Sequence, residues 1–298
     1  MSSFLAELMV PLGYDYMWKA MWVSALVGAV CAFLSAYLML KGWSLMGDAL
    51  GHSIVPGVAA AYIIGAPFAV GAFFAGILAS LGMAFVKQHS RLREDAIIGL
   101  VFTTLFALGL LMASLWPTSV SIQTIVLGNI LAIPDEDATQ VAVIAAVSFV
   151  VMAFLWKDLM VTFFDETHAK SIGVNTRLLK IVFFTLLSAC TVAALQTVGA
   201  CLVIAMVVTP GATAYLLTDR FGRLILIAIA LGAGTSFVGA YLSFFVDGAT
   251  GGVIVSLQTV IFLIAFYFAP KHGVLAARRK RLAVTEAAAA GQAAKAAA

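Results

Sequence analysis

The sequence predicts an all-α, polytopic membrane protein with about nine transmembrane helices. Three observations carry this prediction. Of 298 residues, 63% are hydrophobic and only 10% charged, with a mean hydropathy of +1.09; soluble domains carry about 25% charged residues. Apolar stretches close to the roughly 20 residues that cross a bilayer recur along the chain. Lys and Arg collect in alternate connections, as cytoplasmic loops do.

In order, the spans read as 17–40, 45–64, 67–86, 96–115, 139–156, 178–196, 199–217, 224–246 and 252–269. Residues 1–16 contain Glu7 and Asp15 but no Lys or Arg, the reverse of a signal peptide's basic start. Pro11 and Gly13 interrupt this stretch, so an interfacial N-terminal segment is expected. Lys87/Arg91/Arg93, Lys157/Lys170/Arg177/Lys180, Arg220/Arg223 and the run through Arg278–Arg281 mark the cytoplasmic side. The opposite connections, around Pro67, Asp135–Asp137 and Asp247–Gly251, carry no basic residue. Nine spans place the N-terminus outside and the C-terminus inside. An apolar piece at 120–133 is too short to cross comfortably, and it keeps eight or ten spans open. The transmembrane domain covers 17–270, and 271–298 is a cytoplasmic basic and Ala-rich tail. The basic run anchors topology and lipid headgroups; without a soluble basic surface the chain offers nucleic acid no site.

Asp48 and His52 are the ionisable residues that fall well inside an apolar stretch. Spaced by four, they share one helix face. A carboxylate at mid-bilayer costs roughly 2.5–3.5 kcal/mol on insertion scales. The pair either satisfies itself for packing or forms half of a site for a divalent first-row metal. Two such helices about a shared axis would supply two carboxylates and two imidazoles, which suits manganese, iron(II) or zinc better than copper(I). Pro56 has no amide hydrogen, so the His52 carbonyl four residues earlier is expected to be free. Pro210 does the same to Met206 and marks a kink or gate. Asp165, Glu166, Ala169 and Gly173 outline a short helix, with an acidic start and a closing glycine. It reads as an ordinary loop or as a helix that docks into a partner's groove. Glu94 and Asp95 complement a helix dipole. Cys31, Cys190 and Cys201 lie in apolar segments and read as packing residues. The small-residue stripes at Gly71–Gly82 and Gly232–Gly239 allow close helix approach, within the subunit or across a dimer. No phosphate-binding loop, zinc-protease motif or nucleophile elbow is present in the sequence, so no enzyme is expected.

Taken together, Lys41–Gly57, Arg93–Gly99, Leu127–Leu131, Asp165–Val174, Val207–Ala214 and Asp247–Gly252 resemble the permease subunits of metal-importing ABC transporters. The likeness runs from about Met17 to Val274 and is closest to bacterial chelated iron/manganese permeases. It implies a multi-pass permease of the bacterial inner membrane, of the metal-chelate type, with no permanently bound cofactor. Manganese, iron or zinc would be the transported ion. A second permease (identical or different), cytoplasmic ATP-binding subunits and an extracytoplasmic metal-binding protein would be its partners. On this view Asp48 and His52 match the pathway ligands at a permease dimer interface, and Asp165–Val174 matches the coupling helix. A zinc-specific permease of the same architecture, or one for an organic chelate such as a siderophore or cobalamin, is the alternative.

Overall fold

A computed structural model describes residues 10–43, 45–116, 134–269, 273–276 and 278. After a 3-10 turn at Pro11–Gly13, the regular elements among the described residues are helices. They are α1 (Asp15–Lys41), α2 (Met46–Ser53), α3 (Val55–Ile64), α4 (Phe68–His89), α5 (Glu94–Leu115), α6 (Asp135–Phe164), α7 (Glu166–Ser171), α8 (Thr176–Val198), α9 (Ala200–Leu217), α10 (Phe221–Val246) and α11 (Thr250–Phe268). Seven of them are long and apolar enough to cross a membrane alone. The pair α2–α3 and the 18-residue α9 occupy the other two expected spans, 45–64 and 199–217. The expected piece at 120–133, the Leu127–Leu131 motif and most of the tail lie outside the described residues.

α1 is the central helix. It packs against α6, α8, α9 and α10, and most of its length is buried. Asp15 in its first turn and Lys41 in its last complement the helix dipole. Gly42 ends it at φ 74°, the left-handed conformation in which glycine carries no Cβ penalty. The Trp43 amide then closes on the Leu38 carbonyl at 2.8 Å. Tyr37, fully buried on α1, donates its hydroxyl to the Trp156 carbonyl at 2.9 Å. Its ring sits 5.1–6.1 Å from those of Phe33, Phe163, Phe183 and Phe221.

Glycines set the closest crossings. A Cβ on Gly28 would stand 2.5 Å from the Gly232 carbonyl oxygen, so α1 and α10 touch backbone to backbone. Gly57 and Gly71 do the same for α3 and α4. Gly71 and Gly232, from the two small-residue stripes, therefore pack within the subunit. Cys31 and Cys190 are buried free thiols, as their packing role requires; the side chain of Cys201 lies outside the description.

Two expected boundaries change. The span at 45–64 is broken at Ile54, because Pro56 cannot donate to the helix and its ring crowds the preceding turn. The span at 139–156 continues to Phe164. Lys157 does not end it: its ammonium lies over the Trp156 ring at 5.6 Å, while Leu159 and Phe163 remain buried beyond it.

Candidate functional site

Asp48 occupies the first turn of α2, where the dipole favours a carboxylate, and His52 the last. Asp48 Oδ1 and His52 Nε2 are 3.2 Å apart. Gly47 lets α2 lie on α9, since a Cβ there would come within 3.0 Å of Val207 Cγ1. The His52 ring faces Phe102 and Phe106 of α5 at 5.6 and 5.3 Å between centroids. By helical rise, Phe102 lies about 12 Å along α5 from its start at Glu94. The other side of the pair is open, with the His52 and Asp48 side chains 30% and 38% exposed. The pair is thus walled by aromatic rings on one side and uncovered on the other. Among the described residues no group of three or more His, Cys, Asp and Glu gathers anywhere. Asp48 and His52 bring two donor groups together, fewer than the four to six that a divalent first-row ion takes.

Pro56 is the second residue of α3 and is buried. The His52 carbonyl, expected to be free, is approached by the Ile54 amide instead: the chain turns more tightly where the proline removes the usual donor. Gly109 of α5 abuts this joint, as a Cβ there would lie 2.8 Å from the Pro56 nitrogen. An apolar groove of about 490 Å³ runs alongside, between α3, α4 and α5. Pro210 lies inside α9. There the Ser35 hydroxyl of α1 accepts the Gly211 amide at 3.1 Å and donates to the Val208 carbonyl at 3.1 Å.

The 165–174 segment folds as its composition suggests. Asp165 caps α7, its Oδ1 accepting the amides of Thr167 and His168 at 2.9 and 3.0 Å. Glu166 accepts from Lys180 of α8 and pairs with Lys170 at 3.0 Å. The Lys180 hydrogen bond outweighs partial burial and lowers the Glu166 carboxyl to about 2. Ala169 is the buried anchor of α7. Gly173 terminates the turn at φ 84°, a backbone that L side chains rarely adopt, and the Val174 amide returns to the Ala169 carbonyl at 3.0 Å. His168, Lys170 and Ile172 stay exposed, as does Phe164.

Some residues at this end of the molecule are not evident from spacing. Glu94 does stand in the first turn of α5, where it complements the dipole. Its carboxylate also accepts from the Trp43 indole and from Lys87, which joins the α1–α2 connection, α4 and α5. The sequence signal was a lone tryptophan in a polar-looking connection between two apolar spans.

Similarity to known proteins agrees with this architecture. The ABC 3 transport family matches residues 13–269. The chain is 71% identical over 279 residues to the chelated iron transport system membrane protein YfeC of Yersinia pestis, covering 93% of this chain and 95% of that protein. It is 46% identical over 275 residues to the manganese transport system membrane protein MntB of Synechocystis, covering 92% and 90%. Among solved structures, PsaBC from Streptococcus pneumoniae in complex with Fab superposes with a TM-score of 0.80 at 33% identity, over 90% of this chain and 97% of that one. With this helical order and this match along nearly its whole length, the chain belongs to the ABC 3 transport family and is a non-catalytic, multi-pass permease subunit.

Proposed function

We propose that this chain is the membrane-spanning subunit of an ATP-driven importer of manganese, iron or both, and that the metal passes a site to which Asp48 and His52 contribute. The observation that carries this reading is the pair itself. A carboxylate and an imidazole 3.2 Å apart stand on an uncovered face of an otherwise apolar bundle, with no third ligand among the described residues. A second permease subunit meeting this face would supply a matching pair and enclose the ion in a mixed N/O set. The likeness to YfeC, a chelated iron transport system membrane protein, and to MntB, a manganese transport system membrane protein, supports the choice of metal.

In this reading α7 is received by the ATP-binding subunit. Asp165 and Gly173 fix its two ends, Ala169 seats it, and Glu166 ties it to α8. A binding protein delivers metal from outside, and closure of the ATP-binding subunits moves the bundle through α7. The test is uptake of radiolabelled manganese, iron(II) and zinc in cells lacking their own importers. The cells carry this chain with its ATPase and binding protein. ATPase-dependent uptake of manganese or iron, lost in Asp48→Ala and in His52→Ala at normal assembly, is expected. Wild-type uptake by either variant removes that residue from the pathway; uptake of zinc alone, or of no bare ion, overturns the choice of substrate.

A further inference from the structure

We infer that Trp43 is a positioning residue that transmits movement of α7 to α2, which carries Asp48 and His52, and to α5, which walls them. The inference rests on the importer reading above and adds a route through the chain.

The route begins at α7. Phe163, near the end of α6, is two residues before the Asp165 cap. Phe184 lies one turn beyond Lys180, whose ammonium holds Glu166 of α7. Both rings meet Trp43: Phe184 stacks on the indole at 5.7 Å and 20°, and Phe163 meets it edge-on at 5.7 Å and 80°. Phe183 completes the set at 4.7 Å from Phe163. The helix that carries α7 and the helix that ties it therefore converge on one buried indole.

From Trp43 the route forks. Its carbonyl accepts the Met46 amide at 3.1 Å, the bond that opens α2, and Asp48 follows two residues later. Its indole N–H donates to Glu94 Oε2, at the first residue of α5. The second oxygen of Glu94 accepts from Lys87, whose ammonium also lies 5.5 Å from the indole centroid. α5 then presents Phe102 and Phe106 to His52. Trp43 thus grips α2 through its backbone and α5 through its side chain. A shift of Phe163 or Phe184 alters the spacing between α2, which carries the imidazole, and α5, which faces it. A phenylalanine would fill the same apolar slot; the indole adds a directed hydrogen bond to α5. The Glu94 carboxylate, held by two donors, fixes the direction of that bond.

The experiment uses the complete complex with its ATPase subunits and binding protein, reconstituted in liposomes and supplied with radiolabelled manganese(II). It reads manganese transported per ATP hydrolysed, together with the KM for manganese. In Trp43→Phe, ATP hydrolysis is expected within about twofold of wild type and the KM unchanged, because the ligands are intact. Manganese per ATP is expected to fall by about tenfold, the scale of a typical coupling between sites. Glu94→Gln, which keeps the shape but weakens the bond, should fall in the same direction by less. A wild-type ratio in Trp43→Phe overturns the inference. So does a parallel loss of hydrolysis and transport at constant ratio, the signature of a merely structural tryptophan. Should Trp43→Phe not assemble, Glu94→Gln decides by the same criterion. A wild-type complex that carries neither manganese(II) nor iron(II) supplied in its place overturns the importer reading and this inference together; a working wild type, with whichever of the two it carries, and an unaffected Trp43→Phe overturn this inference alone.

Discussion

Substituting Gly57 by alanine tests how tightly the broken span is held. A Cβ on Gly57 would lie 2.1 Å from the Gly71 carbonyl oxygen and 2.6 Å from the Ala75 Cβ. Ordinary contact begins at 3.4 Å, so α3 and α4 must part by the difference from 2.1 Å, about 1.3 Å. The opposite direction is closed as well, because Gly109 of α5 already sits where a Cβ would touch Val55 and the Pro56 nitrogen at 2.8 Å. With no slack on either side, the cost lies near the upper end of overpacking, about 3 kcal/mol. The helix propensity of alanine over glycine returns about 1 kcal/mol. A net loss of about 2 kcal/mol corresponds to a melting midpoint lower by roughly 4–8 °C. Thermal unfolding in detergent, followed by tryptophan fluorescence, measures it. Gly234→Ala is the control, since a Cβ there meets nothing within 4 Å; it should hold or raise the midpoint through propensity alone. A Gly57→Ala protein that melts at or above wild type, in an assay that resolves the control, refutes the close-crossing argument.

Three further outcomes follow from the same geometry. Ser35→Ala removes the hydroxyl that serves both the Gly211 amide and the Val208 carbonyl beside Pro210, at a cost of about 1–3 kcal/mol; an unchanged melting midpoint would refute that role. Gly173→Pro imposes φ near −65° where the chain needs 84° and removes the amide that reaches Lys170. Transport per ATP should collapse while hydrolysis persists, and intact coupling would count against α7 as the docking helix. For Glu166, the Lys180 hydrogen bond lowers the carboxyl from 4.5 to about 2. A lowered carboxyl stabilises fully above 4.5 and loses that contribution as pH falls through about 2. Because Glu166 is more than a third exposed, solvent screening keeps the worth of the pair below about 1 kcal/mol. Lys180→Gln should move the Glu166 carboxyl titration, read by carbon NMR, back toward 4.5, and an unmoved titration would show that the pair does not form.

Much of the helical order could be read from composition, because a bilayer admits few alternatives to runs of about 20 apolar residues. The exceptions are local. Lys157 read as lying just past the end of a span, yet a lysine stem packs along an aromatic ring and the helix runs on to Phe164. Pro56 was visible, but its effect, a break at Ile54 with the His52 carbonyl taken by a nearby amide, depends on backbone relaxation that residue types do not encode. The four-residue spacing of Asp48 and His52 was legible, whereas their exposure was not. It depends on which face α5 covers, and α5 is reached only through the fold. The capped helix at Asp165–Gly173 was legible because caps are local chemistry. The Trp43–Glu94 bond joins residues 51 apart, and no periodicity relates them.

The central position of α1 has a consequence for how the subunit is made. α1 leaves the ribosome first, yet the groups that complete it come late: the Trp156 carbonyl for Tyr37, the Val208 carbonyl and Gly211 amide for Ser35, and the Gly232 backbone for Gly28. At ordinary elongation rates the roughly 200 residues between α1 and the end of α10 take about 10–40 s to synthesise. Until α6 and then α9 arrive, the Tyr37 and Ser35 hydroxyls wait for their partners, and the Gly28 crossing waits for α10. A chain that stops before α6 leaves the Tyr37 and Ser35 hydroxyls without these partners, so truncated subunits present membrane quality control with polar groups that the finished protein covers.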